Sequence, residues 1–446
     1  MKILFISLGC DKNLVDTEVM MGYLTEAGYE ITSDENEADI AVINTCSFIH
    51  DAKQESVNAI LEMSDLKEEG RLKVLLVCGC LAQRYADELM EEIPLIDAVL
   101  GTTALPEIVD AVNAALEGNR NTLLTPIDRE LPNYDKRIVS TGGYYAYLKI
   151  AEGCNKCCTY CAIPNMRGRY RSFPMERLLA EAKDLVANVG VRELILVAQE
   201  TTLYGVDLYG EKRLKDLLRE LSAIEDLRWI RILYCYPEEI NEELLESIAA
   251  CDKICHYLDI PIQHASDRIL RRMGRKTDEK DLKDQIAMIR RILPDVCLRT
   301  TLISGFPGES DEDHECLKQF VKEMRFDRLG VFTYSKEEGT PAAEFPDQIP
   351  EEIKEKRRDE LMLLQQKIAF EKAKESVGEI MEVMIEGRIP EDDVYVARSY
   401  RDAPEVDGYV FLHTEREFCS GDMVRVTITD CNEYDLIGVL CDECSE

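Results

Sequence analysis

No apolar run in the 446 residues reaches the roughly 18 needed to cross a bilayer, so the sequence predicts no membrane span. Basic residues are also in short supply: 53 Lys and Arg face 87 Asp and Glu, a net charge of −34. A chain this acidic repels a phosphate backbone unless a local basic patch overrides it, which disfavours nonspecific nucleic-acid binding. Internal repeats and low-complexity tracts are absent, and tryptophan occurs once. The opening residues, MKILFISLGC, end like a lipoprotein signal, but one lysine and so short an apolar stretch read better as a β-strand, and a cytoplasmic protein is expected. What is abundant is cysteine, at 17 residues. In a long chain without an export signal these are expected to be thiols or metal ligands. With 46% hydrophobic residues, the length suits about three domains, each able to bury its own core.

The charge is uneven. Residues 1–135 carry 26 acidic and 9 basic side chains, 136–375 carry 43 and 39, and 376–446 carry 18 and 5. The same divisions separate three patterns and are taken as domain limits. In the first, short apolar runs at 2–8, 38–44, 73–77 and 97–100 alternate with helical stretches at 16–28, 47–66, 82–93 and 105–116, the pattern of a doubly wound α/β sheet. The second continues the alternation, with strands expected at 144–150, 193–198, 229–233, 257–260, 297–303 and 329–334. Six strand–helix units suggest a partial (β/α)6 TIM-like barrel whose reactive centre lies at the carboxyl ends of its strands. A charged amphipathic helix over 348–377, opened by Pro350, connects to the third domain. There, β-like runs at 380–385, 408–412, 423–428 and 436–440 predict a small antiparallel β-barrel.

Cys154, Cys158 and Cys161 lie in the run GCNKCCTYC (153–161), directly after the first predicted barrel strand. Three thiolates from one loop can hold three irons of a four-iron cluster and leave the fourth open. An iron with free positions can chelate the amino and carboxylate groups of S-adenosylmethionine, as reductive cleavage to an adenosyl radical requires. On spacing alone Cys157 can replace Cys158. A zinc loop would need a fourth Cys or His nearby, and none follows. A second triplet is dispersed: Cys10, Cys46 and Cys80 each end a predicted strand of the first domain. Singly each is an ordinary small core residue, but together they occupy the edge where α/β sheets bind ligands, and suit a second cluster with one open iron. Cys78 belongs to its strand, and Cys441 with Cys444 reads as a frayed pair of thiols.

On these residues the chain resembles the methylthiotransferase branch of the radical S-adenosylmethionine enzymes along nearly its whole length. The resemblance rests on GCDKN (9–13), NTC (44–46), GCLAQR (79–84), the 153–161 loop, GFPGE (305–309), YS (334–335) and EGTP (338–341). Tyr160, immediately before the last loop cysteine, matches the radical enzymes' pattern and selects Cys158 over Cys157. The resemblance implies an N-terminal cluster domain, a central radical barrel and a C-terminal TRAM barrel, with two 4Fe-4S clusters and S-adenosylmethionine as cofactors. It implies insertion of sulfur and methyl into an unactivated C–H bond, which has no acidic proton for acid–base catalysis to remove. S-adenosylmethionine on the Cys154/Cys158/Cys161 cluster would give the radical. The Cys10/Cys46/Cys80 cluster would hold the sulfur, methylated by another S-adenosylmethionine.

Within the branch, DKNLVD (11–16) and ARSYRDAPEVDG (397–408) resemble the group that modifies the β-carbon of an aspartate in small ribosomal subunit protein twelve, whereas the prenyl-tRNA group usually carries Gln-Met-Asn at the first place. The acidic third domain agrees, because a TRAM barrel built for tRNA should be basic, while an acidic surface suits a basic ribosomal protein. A tRNA adenosine methylthiotransferase is the alternative. A noncatalytic iron–sulfur RNA-binding or scaffold protein is a different class, and gives no reason for both triplets. The sulfur and electron donors are not legible.

Gln199, Glu200 and Thr201 end the second predicted barrel strand and resemble the segment that contacts the cofactor's amino group. Gln263 and His264 end the fourth strand and Arg299 lies on the fifth, making all six candidate S-adenosylmethionine contacts, with capping or packing as the competing role. Arg167, Arg169 and Arg171 follow the cluster loop and read either as guanidinium forks for a carboxylate, the cofactor's or the target's, or as a solvated basic turn. Arg268, Arg271, Arg272, Arg275 and Lys276 read as a helix face.

Overall fold

The computed structural model describes residues 1–132, 137–390 and 393–441. The expected limit at 135/136 and the residue Cys444 lie outside them. Six parallel strands make the first sheet: β1 (Lys2–Ser7), β2 (Glu30–Thr32), β3 (Ile40–Thr45), β4 (Val74–Gly79), β5 (Ala98–Leu100) and β6 (Asn121–Leu123), in the order β2-β1-β3-β4-β5-β6. Every residue of β3 and β4 is buried, as continuous apolar runs between two helix layers require. The edge strands β2 and β6 are three residues long and half exposed, so no apolar run marks them in the sequence.

The helix after β1 covers Asp11–Glu26 and begins five residues before the expected position. Its first turns carry Lys12, Asn13, Asp16, Thr17 and Glu18, all polar and all buried, because this helix is packed between the first sheet and the radical barrel. The helix expected over 82–93 is interrupted at Tyr85 (φ −132°, ψ 37°) into Cys80–Arg84 and Ala86–Glu92.

The second sheet runs sequentially through β7 (Tyr145–Lys149), β8 (Glu193–Val197), β9 (Trp229–Ile232), β10 (Ile254–Asp259), β11 (Cys297–Ser304) and β12 (Arg328–Thr333), all parallel. Its outer strands β7 and β12 do not pair with each other, which makes it an open partial barrel. The connecting helix, Glu351–Glu375, is capped by Pro350 and tied to the barrel through Gln365 Nε2, which donates to the Phe326 carbonyl at 2.9 Å.

The last five strands, β13 (Ile380–Ile389), β14 (Val394–Ser399), β15 (Val410–His413), β16 (Met423–Cys431) and β17 (Leu436–Leu440), close in the order β13-β14-β15-β17-β16. The barrel is not purely antiparallel as expected: the β16–β17 hairpin returns β17 alongside β15 in the same direction. Strand β14 begins the 397–408 region that the sequence marked for its resemblance alone.

This small barrel docks on the amino-terminal ends of the radical strands, and its β14–β15 loop enters that end. Glu193, the first residue of β8, binds Arg231 Nε at 2.7 Å and Arg398 Nη2 at 2.7 Å, with all three side chains fully buried. Arg231 Nη1 donates to the Tyr400 carbonyl at 2.6 Å, and Tyr257 Oη donates to Asp407 Oδ2 at 2.7 Å. The first domain covers the opposite end, where Lys53 and Arg84 both reach Glu337 at 2.8 Å. Among the described residues no helix is long and apolar enough to cross a membrane.

Candidate functional site

Cys10, Cys46 and Cys80 follow the carboxyl ends of β1, β3 and β4, which are neighbours in the sheet. Gly9 (φ +88°) and Gly79 (φ +94°) turn the chain into the first and last of them. A Cβ on Gly9 would lie 2.6 Å from Cys46 Cβ, and one on Gly79 would lie 2.3 Å from Asn44 Oδ1, so only glycine lets these loops come together. Asn13 Nδ2 ties them by donating to the carbonyls of Leu8 and Thr45, each at 2.9 Å. Cys46 and Cys80 are buried and Cys10 is half-buried. Burial, then the neighbouring Cys80 and Cys10 thiols, push Cys46 up to about 12. Burial also raises Cys80, against the pull of Arg167. Cys78 is fully buried in β4 and donates to the Ile43 carbonyl at 3.4 Å, a packing role.

The second triplet sits on the loop after β7. Cys154 and Cys158 are buried and Cys161 is half-buried, whereas Cys157 is exposed on a left-handed backbone (φ +53°). Burial, with Cys158 adding to it, pushes Cys154 up to about 11. Burial together with Cys158 and Cys154 raises Cys161 further. Among the described residues no three Cys, His, Asp or Glu side chains close on a single-ion site. A cubane cluster takes each thiolate on a different iron and so accepts wider spacing, which is the chemistry both triplets fit.

Arg167 stands between the triplets, buried at the end of the short helix Ile163–Arg167. Its Nε donates to Cys80 Sγ at 3.4 Å, its Nη1 to Asp16 Oδ2 at 2.6 Å and Glu152 Oε2 at 3.1 Å, and its Nη2 to Asn13 Oδ1. Lys149 Nζ pairs with Asp16 and, at 2.9 Å, with Glu152. Glu152 Oε1 accepts from Gln199 Nε2 at 2.7 Å. Burial works to raise Glu152, but Lys149 and Arg167 beside it prevail and hold its carboxyl well below the usual range. One polar chain therefore runs from Cys80 to Gln199. Arg167 is not open to a ligand carboxylate, as one sequence reading had it, because Asp16 and Glu152 fill its fork. Arg171 is spent on the carbonyls of Arg129, Arg167 and Arg169, and Arg169 is exposed. The basic run at 268–276 is not one helix face: the helix ends at Arg272, and Arg275 is buried with its guanidinium 4.4 Å from the Tyr236 ring centre.

At the end of β8, Gln199 Oε1 and Glu200 Oε2 are buried without a hydrogen-bond partner among the described residues. Burial pushes the Glu200 carboxyl up to about 7. Two orphaned acceptors beside the cluster loop fit the ammonium of S-adenosylmethionine. Thr201 does not join them, since its hydroxyl donates to the Leu233 carbonyl at 2.8 Å. Gln263 (φ +71°) lines a cavity of about 140 Å³ together with Phe48, Tyr160, Thr301, Ile303 and Tyr334. His264 is fully buried, its Nδ1 accepts from Ser266 N at 2.9 Å and its Nε2 lies 3.6 Å from Glu309 Oε2, a supporting position behind the 305–309 turn. Arg299 is taken up by carboxylates: it pairs with Asp259 at 3.3 Å and with Asp407 of the inserted loop at 3.5 Å. Asp16 is marked in the sequence only as the end of the 11–16 run, and Lys149 and Glu152 not at all, because isolated charged residues give no periodic or spacing signal.

A parallel partial barrel with a C-x3-C-x2-C loop after its first strand defines a radical S-adenosylmethionine enzyme, and the Radical SAM superfamily matches residues 148–321. The uncharacterized protein family UPF0004 matches residues 2–101 and the TRAM domain residues 377–441. The fold is similar to that of the radical S-adenosylmethionine methyltransferase TsrM from Kitasatospora setae (TM-score 0.53, 14% identity, 89% of this chain and 80% of that one), solved with cobalamin and a [4Fe-4S] cluster bound. It is also similar to the cobalamin-dependent radical enzyme OxsB (TM-score 0.52, 15% identity, 82% of this chain and 56% of that one). Over 98% of its length the chain is 59% identical to the ribosomal protein uS12 methylthiotransferase RimO of Lachnoclostridium phytofermentans, covering 99% of it. It is 49% identical to the RimO of Clostridioides difficile, with 98% of each covered. The chain belongs to the RimO family of radical-SAM methylthiotransferases, enzymes whose cofactors are S-adenosylmethionine and [4Fe-4S] clusters.

Proposed function

We propose that this enzyme attaches a methylthio group to the β-carbon of an aspartate in ribosomal protein uS12. Cys154, Cys158 and Cys161 hold the cluster that binds S-adenosylmethionine, and Cys10, Cys46 and Cys80 hold the one that carries sulfur. The supporting observation is the buried polar chain that runs from Cys80 of one triplet through Arg167 to Glu152, two residues before Cys154 of the other, and on to Gln199, in a chain whose full-length relatives are named for uS12. When bound, these groups supply the radical and sulfur chemistry that an unactivated C–H bond requires.

The rest is the work of the protein. Gln199 and Glu200 receive the cofactor's ammonium, and Glu152 holds Gln199 in place. The first domain covers the reactive end of the barrel through Glu337 and so limits the entry of water. The third domain stops the other end and offers little to a phosphate backbone. Of its five basic residues, Arg398 is fully buried and Arg401 is paired with Asp327 at 3.3 Å. Acidic surfaces at both ends of the chain would steer a basic ribosomal protein in the cytoplasm, with tRNA disfavoured.

Mass spectrometry of uS12 and of tRNA from cells with and without this chain tests the reading. The methylthio group is expected to disappear from uS12 alone. Its loss from a tRNA base, with uS12 unchanged, overturns the proposal.

A further inference from the structure

We infer that Lys12 is the seat for the target's carboxylate and the residue by which the site selects an aspartate, an inference that rests on the function proposed above. Lys12 lies two residues after Cys10, in the first turn of the helix Asp11–Glu26, and its side chain is buried. Its Nζ stands 3.3 Å from the centre of the Tyr234 ring and 3.2 Å from Asp11 Oδ1. That single carboxylate oxygen also accepts the Tyr234 hydroxyl at 2.9 Å. The contrast with the neighbouring buried cations is plain. Lys149 and Arg167 each bind both Asp16 and Glu152, whereas among the described residues the three N–H donors of Lys12 have a ring face and one shared oxygen. A desolvated ammonium with unused donors is a strong site for a second carboxylate.

Tyr234 fixes where that ammonium stands. It follows β9 at the reactive end of the barrel, with a left-handed backbone (φ +60°) that its side chain does not favour. Its N–H donates to Asp259 Oδ2 at 3.1 Å, and Asp259 is held in turn by Arg299. A strained residue held from several sides is the usual mark of a position serving function. The ring thus pins Lys12 at the junction of the radical barrel and the sulfur-carrying triplet. In an aspartate the β-carbon is bonded to the carboxylate carbon, so a cation gripping the carboxylate sets the reacting carbon one bond away. An asparagine in its place would bring only a neutral acceptor, and the weaker bond is worth roughly a tenfold loss of binding.

The test uses the reconstituted enzyme with uS12 and with uS12 carrying Asp→Asn at the target position. Binding is titrated anaerobically alongside turnover, for wild type and for Lys12→Met, Lys12→Gln and Lys12→Arg. Wild type is expected to bind the aspartate form about tenfold more tightly than the asparagine form. Lys12→Met and Lys12→Gln lose that preference by weakening only the aspartate form, with iron content and S-adenosylmethionine cleavage in the absence of uS12 retained, and Lys12→Arg keeps part of it. Two neutral variants are used so that a folding defect in one, seen as lost iron, leaves the other. A preference that survives in a folded neutral variant overturns the inference and leaves the proposed function standing. Failure of the wild type to modify uS12 at all overturns the function itself.

Discussion

Arg167 Nε donates to Cys80 Sγ across 3.4 Å, so a buried positive charge from the segment that carries one cysteine triplet rests on a thiol of the other. Cluster potentials respond to net charge and to hydrogen bonds on the ligand sulfurs. In Arg167→Gln the cluster on Cys10, Cys46 and Cys80 is expected to become harder to reduce, its midpoint potential moving negative in an anaerobic titration followed by electron paramagnetic resonance. The same change leaves Asp16 and Glu152 with Lys149 as their remaining cation, and removing one partner of a buried pair costs about 3–5 kcal/mol, visible as a lowered Tm.

The two triplets should separate by their losses. Cys158→Ala is expected to abolish cleavage of S-adenosylmethionine to deoxyadenosine under reduction, while Cys80→Ala spares cleavage and blocks methylthio transfer to uS12. Equal loss of cleavage in both variants would count against the division of labour.

The buried cluster of Glu193, Arg231 and Arg398 fastens the third domain to the closed end of the barrel. Glu193→Gln leaves two buried guanidinium groups short of a counter-charge, at a cost of about 3–5 kcal/mol. Limited proteolysis should then release a fragment beginning near the connecting helix. S-adenosylmethionine cleavage should persist, because Gln199 and Glu200 lie at the opposite ends of the strands.

Cluster loading should depend on pH. In the metal-free chain burial pushes Cys154 up to about 11 and Cys46 up to about 12, so both thiols hold their protons at neutral pH and lose them when iron binds. Raising the pH reduces that cost, and iron retention against a chelator is expected to be stronger at pH 8.5 than at pH 7. Retention that weakens with rising pH would contradict the assignment.

What could be read in advance followed from residues whose signal is local. The continuous apolar runs of β3 and β4, the places of Cys10, Cys46 and Cys80 at strand ends, and the spacing of the 153–161 loop each carry their meaning within a few positions. The charges of Lys12, Asp16, Lys149, Glu152 and Arg167 do not. Lys12 and Asp16 stand in runs that carry the resemblance and Arg167 follows the cluster loop, but nothing near any of the five marks it as buried, because what licenses the burial is a partner up to 222 positions away. The run at 397–408 marks the ribosomal-protein group, as the full-length relatives bear out, but only the structure shows that Asp402, Ala403 and Asp407 there are buried or paired against the barrel. Thr201 is a candidate by the resemblance of its segment and Arg299 by its place on a strand, and the hydroxyl of one and the guanidinium of the other are engaged by a carbonyl and by a carboxylate.

The first domain is held to the barrel by Asp16 with Lys149 and Arg167, by Glu18 with Arg137, and by Glu337 with Lys53 and Arg84. These clasps bear on timing. With these clasps in place, the gap between the two reacting centres is expected to be set when the polypeptide folds and not anew at each turnover. The incoming side chain therefore meets a finished gap, and the rate should depend little on solvent viscosity, which slows large rearrangements of domains but leaves a preset distance untouched.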